Sequence, residues 1–319
     1  MTARSLKALA ATYALTLLAA VCTSARDDAP RPKHAPLPRR FAEFKAEDVL
    51  GSVFEGYDPK TGRVATMLNG ELKPTLVQLR EARAWNALGR EDLVVLVDVA
   101  GDDYNFVDFC GNCAMYALLA VLRREGRALK LVARQDVPAS SVAGDDDPES
   151  DGPPPEDLYA PFLLNGHDTD VRLDLAPYCF GRRETLLGIR REHMWMPAND
   201  YSTSLSLYRV EGARLHEVFY DVVVWRDYPQ GARKGRPVVK TTSTLSPYAG
   251  GREFNNLVIE KTTVRCTDAD DDADCTPPRE PARVVRKTFE VWSFDGKSFR
   301  RTNKKAPPAS RVRATCNGR

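Results

Sequence analysis

The sequence predicts an all-β protein of repeated four-stranded antiparallel units, stapled by disulfides. Three observations predict it. First, one hairpin is written three times. Leu119, Val121, Glu125, Gly126 and Leu129 recur as Leu205, Leu207, Glu211, Gly212 and Leu215, and again as Phe289, Val291, Asp295, Gly296 and Phe299. Apolar residues two apart follow the strand period, because successive side chains point to opposite faces. An acidic residue followed by Gly suits a tight turn that needs a positive φ. Second, Leu175, Pro177, Tyr178, Gly181, Arg182, Leu187 and Ile189 align without a gap to Leu245, Pro247, Tyr248, Gly251, Arg252, Leu257 and Ile259, a period of 70 residues. Third, six of the seven cysteines lie beyond residue 25: Cys110, Cys113, Cys179, Cys266, Cys275 and Cys316. An even count in an exported chain reads as a disulfide framework.

Taken in chain order, residues 1–25 read as a signal peptide. Arg4 and Lys7 precede an uncharged apolar run from Ala8 to Val21, and Thr23, Ser24 and Ala25 form a small-residue cleavage site. The run is shorter than the ~20 helical residues that span a bilayer. No later segment is long and apolar enough to cross one, so no transmembrane segment is expected after cleavage. Periplasmic or secreted export is the expected localisation. The alternative is a lipoprotein anchored at Cys22, although Leu18–Val21 fits that modification poorly. Residues 26–40 carry four prolines and read as a Pro-rich disordered tether. Residues 41–90 read as an N-terminal cap or a degenerate repeat, with strands at Val64–Met67 or Thr75–Arg80. Pro74–Leu88 could equally form a short helix.

The repeated domain covers residues 91–305. Its first unit has strands at Leu93–Ala100, Met115–Arg123 and Ala128–Arg134. The second has Val171–Leu175, Thr185–Arg191, Thr203–Val210 and Arg214–Trp225. The third has Val238–Leu245, Asn256–Val264, Arg286–Phe294 and Lys297–Thr302. Residues 137–170 read as a mobile acidic, Pro-rich loop, and 306–319 as a basic tail. Such units suggest a propeller-like or open array, but a closed propeller needs ~4–8 blades. A β-sandwich or barrel is the alternative.

Composition narrows the function classes. Two of the 46 basic residues lie in 1–25, so the remainder is balanced by the 44 acidic ones. A nucleic-acid binder needs a net basic face for counterion release, so no nucleic-acid partner is expected. Arg182, Arg183, Arg190 and Arg191 cluster, and read as a solvated strand face. No GxSxG elbow, HExxH, GxGxxG or Gly-rich phosphate loop is present.

Residues 101–114, 192–202 and 265–283 occupy one equivalent position, between the second and third strands of the three units. They are expected to share one side of the sheets, where scaffolds carry function. The first holds Asp102, Asp103 and the Cys110-Gly111-Asn112-Cys113 segment. A CxxC pair suits dithiol redox chemistry, yet it is followed by a strand pattern rather than a helix, which favours a structural disulfide. Cys266 and Cys275 flank another of these loops and are expected to close it. Cys179 and Cys316 would then tie down the tail. Asp98 and Asp108 add to the acids beside Asp102 and Asp103. Two carboxylates at a set separation are what glycoside hydrolysis needs. The second loop holds Trp195, a candidate recognition aromatic beside Asp102 and Asp103 as binding residues. The third holds Asp268, Asp270, Asp272 and Asp274, whose alternation matches a calcium-binding spacing but lacks the Gly and the distal acid. No cofactor is required, and calcium is the one candidate. The expected function is an exported cell-envelope binding or interaction protein with a protein or glycan partner and no complete catalytic signature. The alternatives are an envelope thiol oxidoreductase using Cys110 and Cys113, or an envelope hydrolase using loop carboxylates.

Overall fold

Leu93-Val94-Val95-Leu96-Val97 is apolar without interruption, the pattern of a strand buried on both faces. In the structure, a computed structural model, that strand lies in the middle of three layers. The structure describes residues 34–68, 71–87, 90–100, 115–135, 162–163, 168–179, 185–195, 200–227, 238–248, 255–266 and 283–305. Among the described residues, 14 strands form one mixed sheet that does not close.

Five strands make a first antiparallel meander: β1 (Arg63–Leu68), β2 (Glu71–Ala87), β3 (Arg90–Ala100), β4 (Met115–Glu125) and β5 (Ala128–Arg134). The short β6 (Phe162–Leu163) pairs with β4. Eight more form a second meander: β7 (Asp168–Cys179), β8 (Thr185–Trp195), β9 (Asp200–Glu211), β10 (Arg214–Asp227), β11 (Val238–Tyr248), β12 (Asn256–Cys266), β13 (Arg283–Phe294) and β14 (Phe299–Thr302). Each pairs antiparallel with the next. The two meanders join where β10 meets β5 in parallel, at the single pair Arg214↔Arg134.

Apolar parity sorts the core into three clusters. Leu93, Val95, Val97 and Val99 of β3 face Val49, Leu50 and Val53 of helix α1 (Ala46–Val53). Val94 and Leu96 face the other way, onto Leu173, Leu187, Ile189 and Tyr208 of the second meander. A bulge at Arg80 resets the parity of β2. Val77 and Leu79 therefore join the helix side, whereas Trp85 joins the sheet side. The third cluster packs Leu205, Leu207, Phe219 and Val223 on Leu257, Ile259 and Phe299. Phe219 meets Trp292 and Phe299 edge-on, at centroid distances of 5.3 and 6.3 Å.

Several expectations change. Residues 34–40 are not a tether: the Ala35 amide donates to the Leu79 carbonyl at 2.8 Å, and Ala35 and Leu37 pack on the first core cluster. Prolines fit there because extended backbone needs few of its own donors. Of the segment Pro74–Leu88, the described residues 74–87 are strand rather than helix. Pro74 is tolerated because it pairs with Ala65 of β1 before β3 joins at Leu76. Within the segment read as a 137–170 loop, β6 and the start of β7 are strands. Both are held by tertiary pairing that local composition does not encode. The propeller-like reading finds no separate blades here, since β10 hydrogen-bonds directly to β11.

Strand direction positions the connections. The parallel pair makes β5 and β10 run the same way. In a meander, alternate connections fall at the same end. The connections after β3, β8 and β12 therefore leave from one end of the sheet, the loop end. The tight turns at Gly126, Gly212 and Gly296 lie at the opposite, turn end, with φ of 65°, 60° and 105°. Gly126 and Gly212 supply the left-handed conformation that a two-residue hairpin asks for.

Candidate functional site

The loop end gathers the strand termini that carry the sequence candidates. Ala100 ends β3, Trp195 ends β8 and Cys266 ends β12. Trp195 itself is not a loop residue. Its backbone pairs with Asp200, so β8 and β9 run on and leave only residues 196–199 as the connection. The β-branched and aromatic residues Tyr201 and Thr203 favour the extension of the ladder to the Trp195–Asp200 pair. Cys266 pairs in register with Val238 at the loop end, whereas Cys179 pairs with Thr185 at the turn end. Asp102, Asp103, Cys110, Cys113, Asp268, Asp270, Asp272, Asp274, Cys275 and Cys316 lie outside the described residues, as does Cys22. Among the described residues, no group of three or more His, Cys, Asp or Glu side chains could hold a metal ion. No helix among them is long and apolar enough to cross a membrane.

Below the loop end, buried charges are paired. Asp98 is 6 % exposed and takes the Arg80 guanidinium at 2.6 Å. Burial pushes its carboxyl above the ordinary range, and Arg80 works against that. Asp98 is thus engaged in an ion pair with Arg80. Asp92 binds Arg123 through two parallel bonds of 2.9 Å, the fork geometry that arginine favours. In the third cluster Lys261 lies 3.2 Å from Asp221 and 3.5 Å from Glu290, while the Trp292 indole donates to Glu290 at 3.3 Å.

Of the arginines read as a solvated face, Arg182 and Arg183 lie outside the described residues, whereas Arg190 is engaged. Arg190 donates to Asp174 at 2.5 Å, and the Tyr178 hydroxyl donates to the same carboxylate oxygen at 2.8 Å. Tyr178 has its phenol pushed far up, chiefly by burial, then by the Asp174 charge. Asp174 is held below the ordinary range, because hydrogen bonds from Tyr178, Ala176 and Arg190 outweigh its partial burial. This network forms where β7 is irregular: Asp174 pairs with Gly188 and the next pair is Tyr178 with Leu186.

Two features were not legible from sequence. One is a buried polar group between the meanders: Gln135, Tyr208, Ser206, Glu217 and Arg191. The signal was present, in a Tyr and a Glu on strands otherwise filled with apolar residues. The other is an open groove of about 750 Å³ at the turn end, beside α1, lined by Glu43, Asp48, Arg124 and Arg127 among others. An ion pair of 2.7 Å between Arg124 and Glu43 crosses it. The groove lies away from the loop end and brings together none of the sequence candidates. No protein-family model, curated protein or solved structure gives a significant match to this chain.

Proposed function

We propose that this is an exported cell-envelope binding protein whose ligand face is the loop end of the sheet. One observation carries the reading: the connections after β3, β8 and β12 leave from the same end. A sheet that gathers the connections after β3, β8 and β12 at one end suits recognition of a protein or glycan partner there. Trp195 closes β8 at that end, and Asp102 and Asp103 follow β3 there, so an aromatic and two acids would serve one surface. Calcium bound by Asp268, Asp270, Asp272 and Asp274 would rigidify the same face. Three consecutive four-stranded units, β2–β5, β7–β10 and β11–β14, support an open array as the finer architecture. The 70-residue match supports it too, since Tyr178 pairs with Leu186 as Tyr248 pairs with Asn256.

Binding of the native envelope partner tests the proposal. Trp195→Ala is expected to weaken it by about 2 kcal/mol or more, as for a central interface aromatic. Full binding by a variant with all three connections shortened would overturn the reading. Cys110 and Cys113 lie on one of those connections, and as a staple they should stay oxidised to below about −300 mV. Alkylation and peptide mass across a redox series measures this. Reversible reduction between about −120 and −270 mV would favour the thiol oxidoreductase instead.

A further inference from the structure

The two meanders share little backbone. One parallel pair, Arg214↔Arg134, joins their ladders, with the Arg134 amide donating to the Ala213 carbonyl at 3.1 Å. Gln135 extends this junction. Its amide donates to the Leu119 carbonyl at 3.0 Å, and its side-chain carbonyl accepts the Leu119 amide at 2.8 Å. The rest of Gln135 reaches across to the Tyr208 hydroxyl on β9. Tyr208 is 2 % exposed and is the register partner of Glu217 on β10. Glu217 lies three positions after Arg214, the residue of the parallel pair. Its Oε1 is buried and makes no hydrogen bond among the described residues. Ser206 bonds the carboxyl, and Arg191 on β8 is the nearby charge.

A buried carboxylate with an unsatisfied oxygen costs stability that a protonated carboxyl does not. We propose that Glu217 is a pH-responsive latch, which tightens the junction between the first meander and the second when protonated and loosens it when ionised. The charged and titratable groups around it are Arg191 on β8, Tyr208 on β9, and Arg214 and His216 on its own strand. The guanidinium of Arg134 on β5 is turned away, donating to the Val53 carbonyl of α1 at 2.7 Å. Burial raises the Glu217 carboxyl above its ordinary range, while Ser206 and Arg191 oppose this. A carboxyl raised by folding gives stability that is complete below the unfolded value and is lost as pH rises through the folded value. The latch is therefore tight at low pH and loosens as pH rises through the raised folded value of Glu217.

Hydrogen exchange on the full chain tests this, at about pH 4 and about pH 7.5, after correction for the intrinsic exchange rate. The amides of Leu119, Arg134 and Gln135 are expected to be several-fold better protected in acid, while those of β12 and β13 change less. Glu217→Gln should keep the acid-like protection at both pH values. Equal protection of native junction amides at the two pH values would overturn the proposal. So would an equal change in β12 and β13, which would mean global stability rather than a latch. A pH dependence that survives in Glu217→Gln would assign the effect to another group, such as His216, and would also overturn it. The native series decides the first two outcomes even if the variant fails to fold.

Discussion

Gly188→Ala is expected to destabilise the fold by about 1–3 kcal/mol or more, read as a lower denaturation midpoint with an unchanged slope. A β-carbon at this position would stand 2.5 Å from the Asp174 carbonyl oxygen and 3.2 Å from the Tyr178 ring. The first contact is with backbone, so the strand itself would have to move. The irregularity in β7 brings that carbonyl close, and the Asp174–Tyr178–Arg190 network locks it in place. Seventy residues later the chain has Val258, and there β11 and β12 pair without interruption, Ser246 opposite Val258. The glycine is therefore required by the irregularity and not by the strand. A change below about 0.5 kcal/mol would contradict this packing.

Arg80→Ala is expected to cost about 3–5 kcal/mol at neutral pH, since it leaves the Asp98 charge buried and uncompensated. The sign with pH follows from Asp98, whose folded carboxyl already lies above its unfolded value. Without Arg80 that value rises further. The penalty should be largest where Asp98 is ionised, near neutrality, and should shrink as pH falls and the carboxyl protonates. Paired denaturation curves of the native protein and the variant at several pH values measure it. Asp98→Asn should cost less, because the Arg80 side chain is 25 % exposed and can hydrate its charge. A pH-independent loss in Arg80→Ala would mean that Asp98 is not the group left uncompensated.

The strands were legible because two signals coincide at the hairpins: period-two apolar residues and an acid–Gly turn. Leu119, Val121, Leu205 and Leu207 are all buried as that pattern requires. Phe289 departs from it, at 49 % exposure on β13. Less legible was anything set by distant contacts. Pro-rich residues 34–40 gave no sign of docking on Leu79, and β6 exists only through its pairing with β4. The ungapped match hid the irregularity of β7. Leu245 pairs with Ile259 in the third unit, but Leu173, not Leu175, pairs with Ile189 in the second. Asp98 and Glu217 were hidden for a further reason. Where a strand is covered on both faces, no alternation distinguishes a buried acid from a solvated one. The loop end was foreseen from the equivalence of three connections, although Trp195 proved to be the last residue of β8.

Site-specific photo-crosslinking in cells that make the protein tests the central claim most directly. Crosslinkers at positions 195 and 201 report on the loop end, and crosslinkers at positions 127 and 297 report on the turn end. A binding face at the loop end predicts one discrete adduct, of the same mass from positions 195 and 201, and none from 127 or 297. Adducts only from the turn-end positions, beside the α1 groove, would contradict it.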